Sequence, residues 1–286
     1  LRLAFLGTPA AAVPPLRALV ADGHQIAVAV TQPDRRRGRG GGLSPSPVKA
    51  AAEEMGIPVA HRVDAVLEAQ VELGVVVAFG RLVKASVLDV VPMVNLHFSL
   101  LPRWRGAAPV ERAILAGDEE TGVCLMALDP GLDTGPVYGC RPVAIGSEET
   151  ADELRQRLVT LGSDLLVERL RSGLGTPAPQ VGEATYAAKL VPDELELRWS
   201  DPACRLHRVV RLGRAWTVAG GRRLLVLRAH PIGPVEPADP GTMDGVVVAC
   251  GDGHGLELVE VQPEGKGPQP AAAWRRGQRG PVRLGR

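Results

Sequence analysis

In the run VPMVNLHFSLLPRWRG, two polar side chains, Asn95 and His97, stand two residues apart at the end of an apolar stretch. If that stretch is a strand, both point to the same face, and an amide and an imidazole can converge on one atom. An amide N–H beside an imidazole suits the stabilisation of a developing oxyanion in acyl transfer. The alternative is a structural pair that caps a strand and satisfies itself. A second unusual stretch, DPGLDTGPV, sets Asp133 between Gly131 and Gly135 in an otherwise apolar neighbourhood. An aspartate facing His97 would orient the ring and fix its tautomer. A turn aspartate bonding its own backbone is the other reading. The third stretch, QPDRRRGRGGGLSPSPVK, places Arg35, Arg36, Arg37 and Arg39 in a Gly-rich loop. It lacks the Lys-Ser/Thr ending of a phosphate-binding P-loop. It reads either as a basic arm for a phosphate backbone or as a solvated loop.

The elements that must position these residues are legible as apolar runs. Residues 1–7, 26–31, 73–80 and 91–98 read as buried strands, and helical patterns at 10–22, 47–56 and 64–71 separate the first three. Buried strands alternating with helices predict an α/β domain with a parallel sheet covered on both faces. Such sheets bind ligands at the carboxyl ends of their strands, which is where Asn95 and His97 fall. Residues 150–171 read as a helix, opened by a Thr150/Glu153 capping box and carrying Leu154, Leu158, Leu161 and Leu165. The Gly- and Pro-rich stretch 171–190 reads as a connection. After a short helix at 203–213, β-type runs between turn signals suggest a small all-β second domain from about residue 201. The expected organisation is a first domain over 1–180, a linker over 181–200 and a second domain over 201–286. No internal repeat is present.

Composition bounds the class. At 286 residues, 45% apolar and 23% charged, the chain fits two ordinary globular domains. Its net charge of +1 is unevenly spread, with 13 Lys+Arg against 8 Asp+Glu in residues 201–286. A basic back end raises a polyanionic partner, although 29 of the 33 basic residues are Arg and coding bias would give the same count. The four cysteines, Cys124, Cys140, Cys204 and Cys250, show no metal spacing with each other or with histidine. They read as buried, reduced thiols of a cytoplasmic protein with no metal. The apolar start is interrupted by Gly7-Thr8-Pro9 and Pro14-Pro15, so neither a leader nor a membrane span is expected. Leu1 in place of Met points to a trimmed or unusual start.

With these residues in place, NLHFSLLPRWRGAAPVERAILAGDEETGVCLMALDPGLDTGPV closely resembles the signature of the formyltransferases that depend on 10-formyltetrahydrofolate. More narrowly, the chain looks like the branch acting on methionyl initiator tRNA. FLGTPAAAVPPLRAL is similar to that branch's opening, VTQPDRRRGRG and SPVK to its tRNA-binding loop, and ATYAAKL to its linker. The resemblance implies a Rossmann-like parallel-sheet formyltransferase domain followed by a small OB-like β-barrel. It implies a catalytic trio of Asn95, His97 and Asp133. Ser99, Leu100, Leu101 and Pro102 would line the folate site, with Val77, Phe79, Gly80 and Gly131 contributing nearby. Arg39, helped by Arg35, Arg36 and Arg37, would contact the tRNA. The implied co-substrate is 10-formyltetrahydrofolate, the partner methionyl initiator tRNA, and the state a monomer without membrane attachment. Rivals are a family member acting on another amine, such as a sugar nucleotide, hydrolysis of the folate, or a noncatalytic RNA-binding relative. The chain departs from the pattern at Gly41-Gly42, where the family has a lysine pair, and at Phe79, where it has tyrosine. A Pro- and Gly-containing stretch is also missing between Gly213 and Ala215.

Overall fold

The computed structural model describes residues 1–36 and 42–285. They divide into two compact units. The first holds Leu1–Val110, Glu120–Ala144 and Arg155–Ala188, and the second holds Glu111–Glu119, Ile145–Leu154 and Lys189–Arg286.

In the first unit a seven-stranded sheet runs in the spatial order Val137–Ala144, Glu120–Ala127, Met93–His97, Leu73–Val77, Arg2–Gly7, Gln25–Val30, Val59–Ala60. Five strands are parallel, and the two at the Val137–Ala144 end are antiparallel. The chain starts in the middle, builds outward to one side and then returns to build the other, so the strand order reverses beside Arg2–Gly7. Ligands of open α/β sheets bind at such a switch point. Both faces of the central strands are covered, which explains why they read as continuous apolar runs rather than alternating ones. Leu3, Phe5 and Leu6 are fully buried, and each such side chain contributes roughly 1.5–3 kcal/mol.

Helix starts follow their local chemistry. The Val13–Ala21 helix carries prolines in its first turn, where no backbone N–H is needed, and buries Leu16 and Leu19. Ser46 Oγ accepts from Lys49 N at 3.0 Å and caps the Pro47–Glu54 helix. The expected capping box opens Ala151–Ser172: Glu153 Oε2 accepts from Thr150 N at 2.8 Å, and Thr150 Oγ1 accepts from Glu153 N at 3.3 Å.

The second unit contains a nearly closed antiparallel barrel. Its strands follow the order Trp216–Ala219, Arg222–Pro234, His254–Pro263, Val247–Ala249, Thr242–Asp244, Val282–Arg283. A bridge between Ala219 and Leu284, with Gly285 N donating to Val218 O at 2.9 Å, joins the last strand to the first. Trp199, Leu206, Val226, Leu258 and Trp274 belong to its core. The unit is not all-β, because Ala203–Val210 and Ala271–Arg276 are helices whose apolar sides enter that core.

Other expectations also shift. The 73–80 strand stops at Val77, because Ala78 turns to φ 46°. The 64–71 helix is one turn, Ala65–Glu68. Cys124 and Cys140, expected as free thiols, are disulfide-bonded. Antiparallel pairing sets them directly opposite each other, so their side chains leave the same face of the sheet. Cys204 and Cys250 are free. No described helix is long and apolar enough to cross a membrane.

Candidate active site

Asn95 and His97 lie on the Met93–His97 strand, with Leu73–Val77 on one side and Glu120–Ala127 on the other. Period-two geometry puts both side chains on one face, and both residues are buried. Among the described residues the Asn95 side-chain amide makes no protein hydrogen bond, so its donors are left for a ligand. Asn95 keeps 8% of its surface exposed and its amide is not sealed from solvent, so water can satisfy it until a ligand takes its place.

His97 is tied at one ring nitrogen and faces a carboxylate with the other. Its Nε2 lies 2.7 Å from Trp104 O. A carbonyl only accepts, so Nε2 carries the hydrogen and neutral His97 keeps its lone pair on Nδ1. Nδ1 stands 3.7 Å from Asp133 Oδ2, too far for a hydrogen bond and near enough for a charge on one group to act on the other. Asp133 Oδ2 accepts instead from Gly106 N at 2.8 Å. The tautomer is therefore set by the backbone carbonyl of Trp104, and the carboxylate by a backbone N–H.

Two loops carry these contacts, and both hold non-glycine residues in the left-handed region: Trp104 at φ 64° and Asp133 at φ 51°. Such conformations cost about 1–3 kcal/mol and cluster at functional sites. Ser99 Oγ donates to Arg103 O at 2.6 Å and to Trp104 O at 3.3 Å, which tightens the turn through Leu100, Leu101 and Pro102. The Leu101–Pro102 peptide is cis. In the second loop, Asp129 performs the local turn bonding that was the alternative reading of Asp133. Its Oδ1 accepts from Gly131 N at 3.1 Å and Thr134 Oγ1 at 2.6 Å. Asp133 is thereby released to point at the other loop. Gly135 cannot be larger, because a Cβ there would sit on Ala127 O.

The sequence candidates thus divide. His97 and Asp133 are brought together, Asn95 shares the strand face of His97, and Ser99 braces the turn that follows. Val77 pairs with Leu96, so the end of its strand, leading to Phe79 and Gly80, borders the same sheet edge. Gly80 has φ 71°. Arg35 and Arg36 are exposed on a two-residue strand paired with Leu43–Ser44, and Arg35 Nη2 donates to Gln32 Oε1 at 3.2 Å. Arg37 and Arg39 lie outside the described residues. No group of three His, Cys, Asp or Glu side chains among the described residues could hold a metal ion. Sequence reading missed Trp104 O and Gly106 N, since a backbone group carries no signature in residue type.

A family model described as formyl transferase matches residues 1–170, and one described as formyl transferase, C-terminal domain, matches residues 189–279. Methionyl-tRNA formyltransferase from Dinoroseobacter shibae is 44% identical over 301 residues, covering 99% of this chain and 100% of that relative. Among solved structures, methionyl-tRNA formyltransferase from Clostridium thermocellum aligns with a TM-score of 0.57 at 16% identity, over 80% of this chain and 93% of its own. HypX from Aquifex aeolicus, in complex with tetrahydrofolic acid, aligns with a TM-score of 0.67 at 15% identity, over 96% of this chain and 46% of its own. At these identities the structural likeness speaks for the fold alone.

Proposed function

The chain belongs to the formyl transferase family, and on that premise we propose that it moves the formyl group of 10-formyltetrahydrofolate to the α-amine of methionine esterified to initiator tRNA. The observation that carries the chemistry is the Asn95 amide, without a protein partner among the described residues, on the same strand face as a histidine whose Nε2 is already committed to Trp104 O. That arrangement leaves two donors for one oxygen: the Asn95 N–H and, when His97 is protonated, its Nδ1–H. Both would stabilise negative charge growing on the formyl oxygen as the neutral amine adds to the formyl carbon. The new C–N bond forms to the methionine nitrogen, the bond from carbon to N10 breaks, and one proton passes from the amine to the departing nitrogen. Asp133, held by Gly106 N–H, places its charge 3.7 Å from His97 Nδ1, where it attracts the protonated ring, and receives the proton in transit through water.

Full-length similarity to curated methionyl-tRNA formyltransferases supports the tRNA substrate. The folate assignment draws on the family and on the Ser99–Pro102 turn at the strand end. A role in translation initiation places the protein in the cytoplasm, and a monomer suffices for it. The arginines at 35, 36, 37 and 39 are the proposed arm for the tRNA backbone. The test offers charged initiator tRNA, charged elongator tRNA and an amino-sugar nucleotide side by side with 10-formyltetrahydrofolate. Transfer to initiator tRNA in clear preference supports the reading, and preference for the sugar nucleotide would replace it.

A further inference from the structure

The segment 178–188, expected as part of a connection, is laid across both loops of the active site. Ala178 and Val137 exchange backbone hydrogen bonds of 2.9 and 2.7 Å. Thr185 Oγ1 accepts from Trp104 N at 3.0 Å, and Ala187 O accepts from Ala107 N and Ala108 N at 2.9 and 3.1 Å. Gly106, at φ 117°, passes so close that a Cβ there would lie 2.9 Å from Ala187 O.

Gln180 sits in this segment, and its side chain reaches both loops. Its Oε1 accepts from Arg105 Nε at 3.0 Å and Arg105 Nη2 at 2.6 Å. Its Nε2 donates to Asp133 O and to Gly135 O, both at 2.9 Å. The orientation of the amide is unambiguous, because a guanidinium only donates and a carbonyl only accepts. The two carbonyls belong to Asp133 itself and to the residue two positions on, so the amide grips the left-handed turn that aims the Asp133 carboxylate.

We propose that Gln180 is a positioning residue for formyl transfer: it locks the loop bearing Asp133 to the loop bearing Trp104. The proposal rests on the reaction assigned above. The position requires an acceptor and a donor on one planar group at the reach of a glutamine. Glutamate supplies the acceptor alone when ionised, leucine supplies neither, and asparagine is one methylene short. Gln180 does not touch the reacting atoms. It holds the carboxylate 3.7 Å from His97 Nδ1, and small displacements of that kind cost turnover rather than substrate affinity.

The experiment compares the full-length enzyme with Gln180→Leu and Gln180→Glu in steady-state formyl transfer to methionyl initiator tRNA. Gln180→Leu should lose roughly 10²-fold in kcat, with both KM values and the melting temperature close to wild type. Gln180→Glu should be as impaired at about pH 8 and regain kcat relative to wild type toward about pH 5. Once protonated, a carboxyl group still accepts from Arg105 and donates one hydrogen bond, restoring one of the two that the amide gives. Arg105 on one side favours its ionised form, and the Asp133 and Gly135 carbonyls on the other favour the protonated one. If the leucine variant fails to fold, the glutamate ratio decides. Wild-type kcat in both variants, losses that follow melting, or a ratio that stays flat with pH would each overturn the role of Gln180. Absence of transfer by the unmodified enzyme would sink the reaction itself, a separate result.

Discussion

Histidines meet carboxylates in both units, and the pairings around His97 and His207 differ in kind. In the second unit Glu148 Oε2 is shared by His207 Nε2 at 3.2 Å and His230 Nδ1 at 2.8 Å. Close by, Arg211 Nε donates to Glu149 O and its Nη2 to Gly146 O, both at 2.7 Å. Two histidines thus share one oxygen of the Glu148 carboxylate at contact distance. In the first unit His97 is tied at one nitrogen only, its carboxylate is held off at 3.7 Å, and the Asn95 amide on the same strand face has no protein partner among the described residues. The backbone differs too. Trp104 and Asp133 are left-handed non-glycine residues, whereas none occurs among the described residues beyond Asp133. Close contact between titratable groups is what a structural clamp looks like, and strain with unfinished bonding is what a reactive site looks like.

The largest expected effect tests that contrast directly. Asn95→Ala, His97→Ala and Asp133→Ala should each lower kcat by about 10²–10³-fold with little change in the melting temperature. His207→Ala or Glu148→Ala should do the reverse, lowering the melting temperature while kcat stays within about twofold. Parallel kinetics and thermal melts on the five proteins read both. Near-normal turnover in a folded His97→Ala enzyme would break the comparison.

The basic arm provides the next test, because it belongs to neither pattern. Arg35 and Arg36 are exposed, and such side chains recognise a phosphate chain through charge with little buried geometry. Neutralising Arg35, Arg36, Arg37 and Arg39 together should raise the tRNA KM several-fold and leave the folate KM unchanged. Each lost phosphate contact should flatten the dependence of log affinity on log salt by about one unit or slightly less. An unchanged KM and slope in the fourfold variant would make the segment a solvated loop.

What the sequence disclosed, and what it concealed, follows from the same physics. Apolar runs reveal buried strands, since burial on both faces demands them. The Thr150/Glu153 pair reveals a helix start because capping is local chemistry. Asn95 and His97 were visible as polar residues two apart where apolar ones were due. The resemblance carried Asp133, which spacing alone left as a turn residue, and the local turn work in fact belongs to Asp129. Contacts made by the backbone stayed hidden, as with Trp104 O on His97 and Gly106 N–H on Asp133. So did contacts that depend on long-range register. Gln180 lies 47 residues from Asp133 in the chain, inside a stretch whose Gly and Pro content reads as slack. Cys124 and Cys140 are 16 residues apart, and only the pairing of their two strands makes them neighbours.

A smaller effect, on stability, follows from His207. Burial holds its imidazole below the ordinary value of 6.5, although Glu148 pulls the other way. Below that value the unfolded chain binds a proton that the folded chain refuses, so this group lowers stability as the pH falls. The loss begins near 6.5 and continues down to the lower folded value. His207→Gln keeps a donor for Glu148 and removes the titration. Its melting temperature should fall less between neutral pH and about pH 5 than that of wild type, by a difference on the order of a few degrees. A steeper fall in the variant would mean that the ion pair with Glu148 outweighs burial.

The smallest expected effect concerns Cys250, which should leave activity untouched. Burial in the second unit's core pushes this thiol up to about 12, and nearby Asp252 adds to the shift. The thiolate is the reactive form, so Cys250 is inert at neutral pH for the reason that silences the core around it. Cys204, in the same unit, is exposed. A thiol reagent at neutral pH should therefore modify Cys204 quickly and Cys250 only as the protein unfolds, with mass spectrometry locating the label. Cys250→Ala should match wild type in kcat. It should melt slightly lower, because a small apolar contact is removed from a packed core. Rapid labelling of Cys250 in the folded enzyme, or a loss of turnover on its replacement, would show that the second unit harbours a reactive group after all and would narrow the difference between the two units.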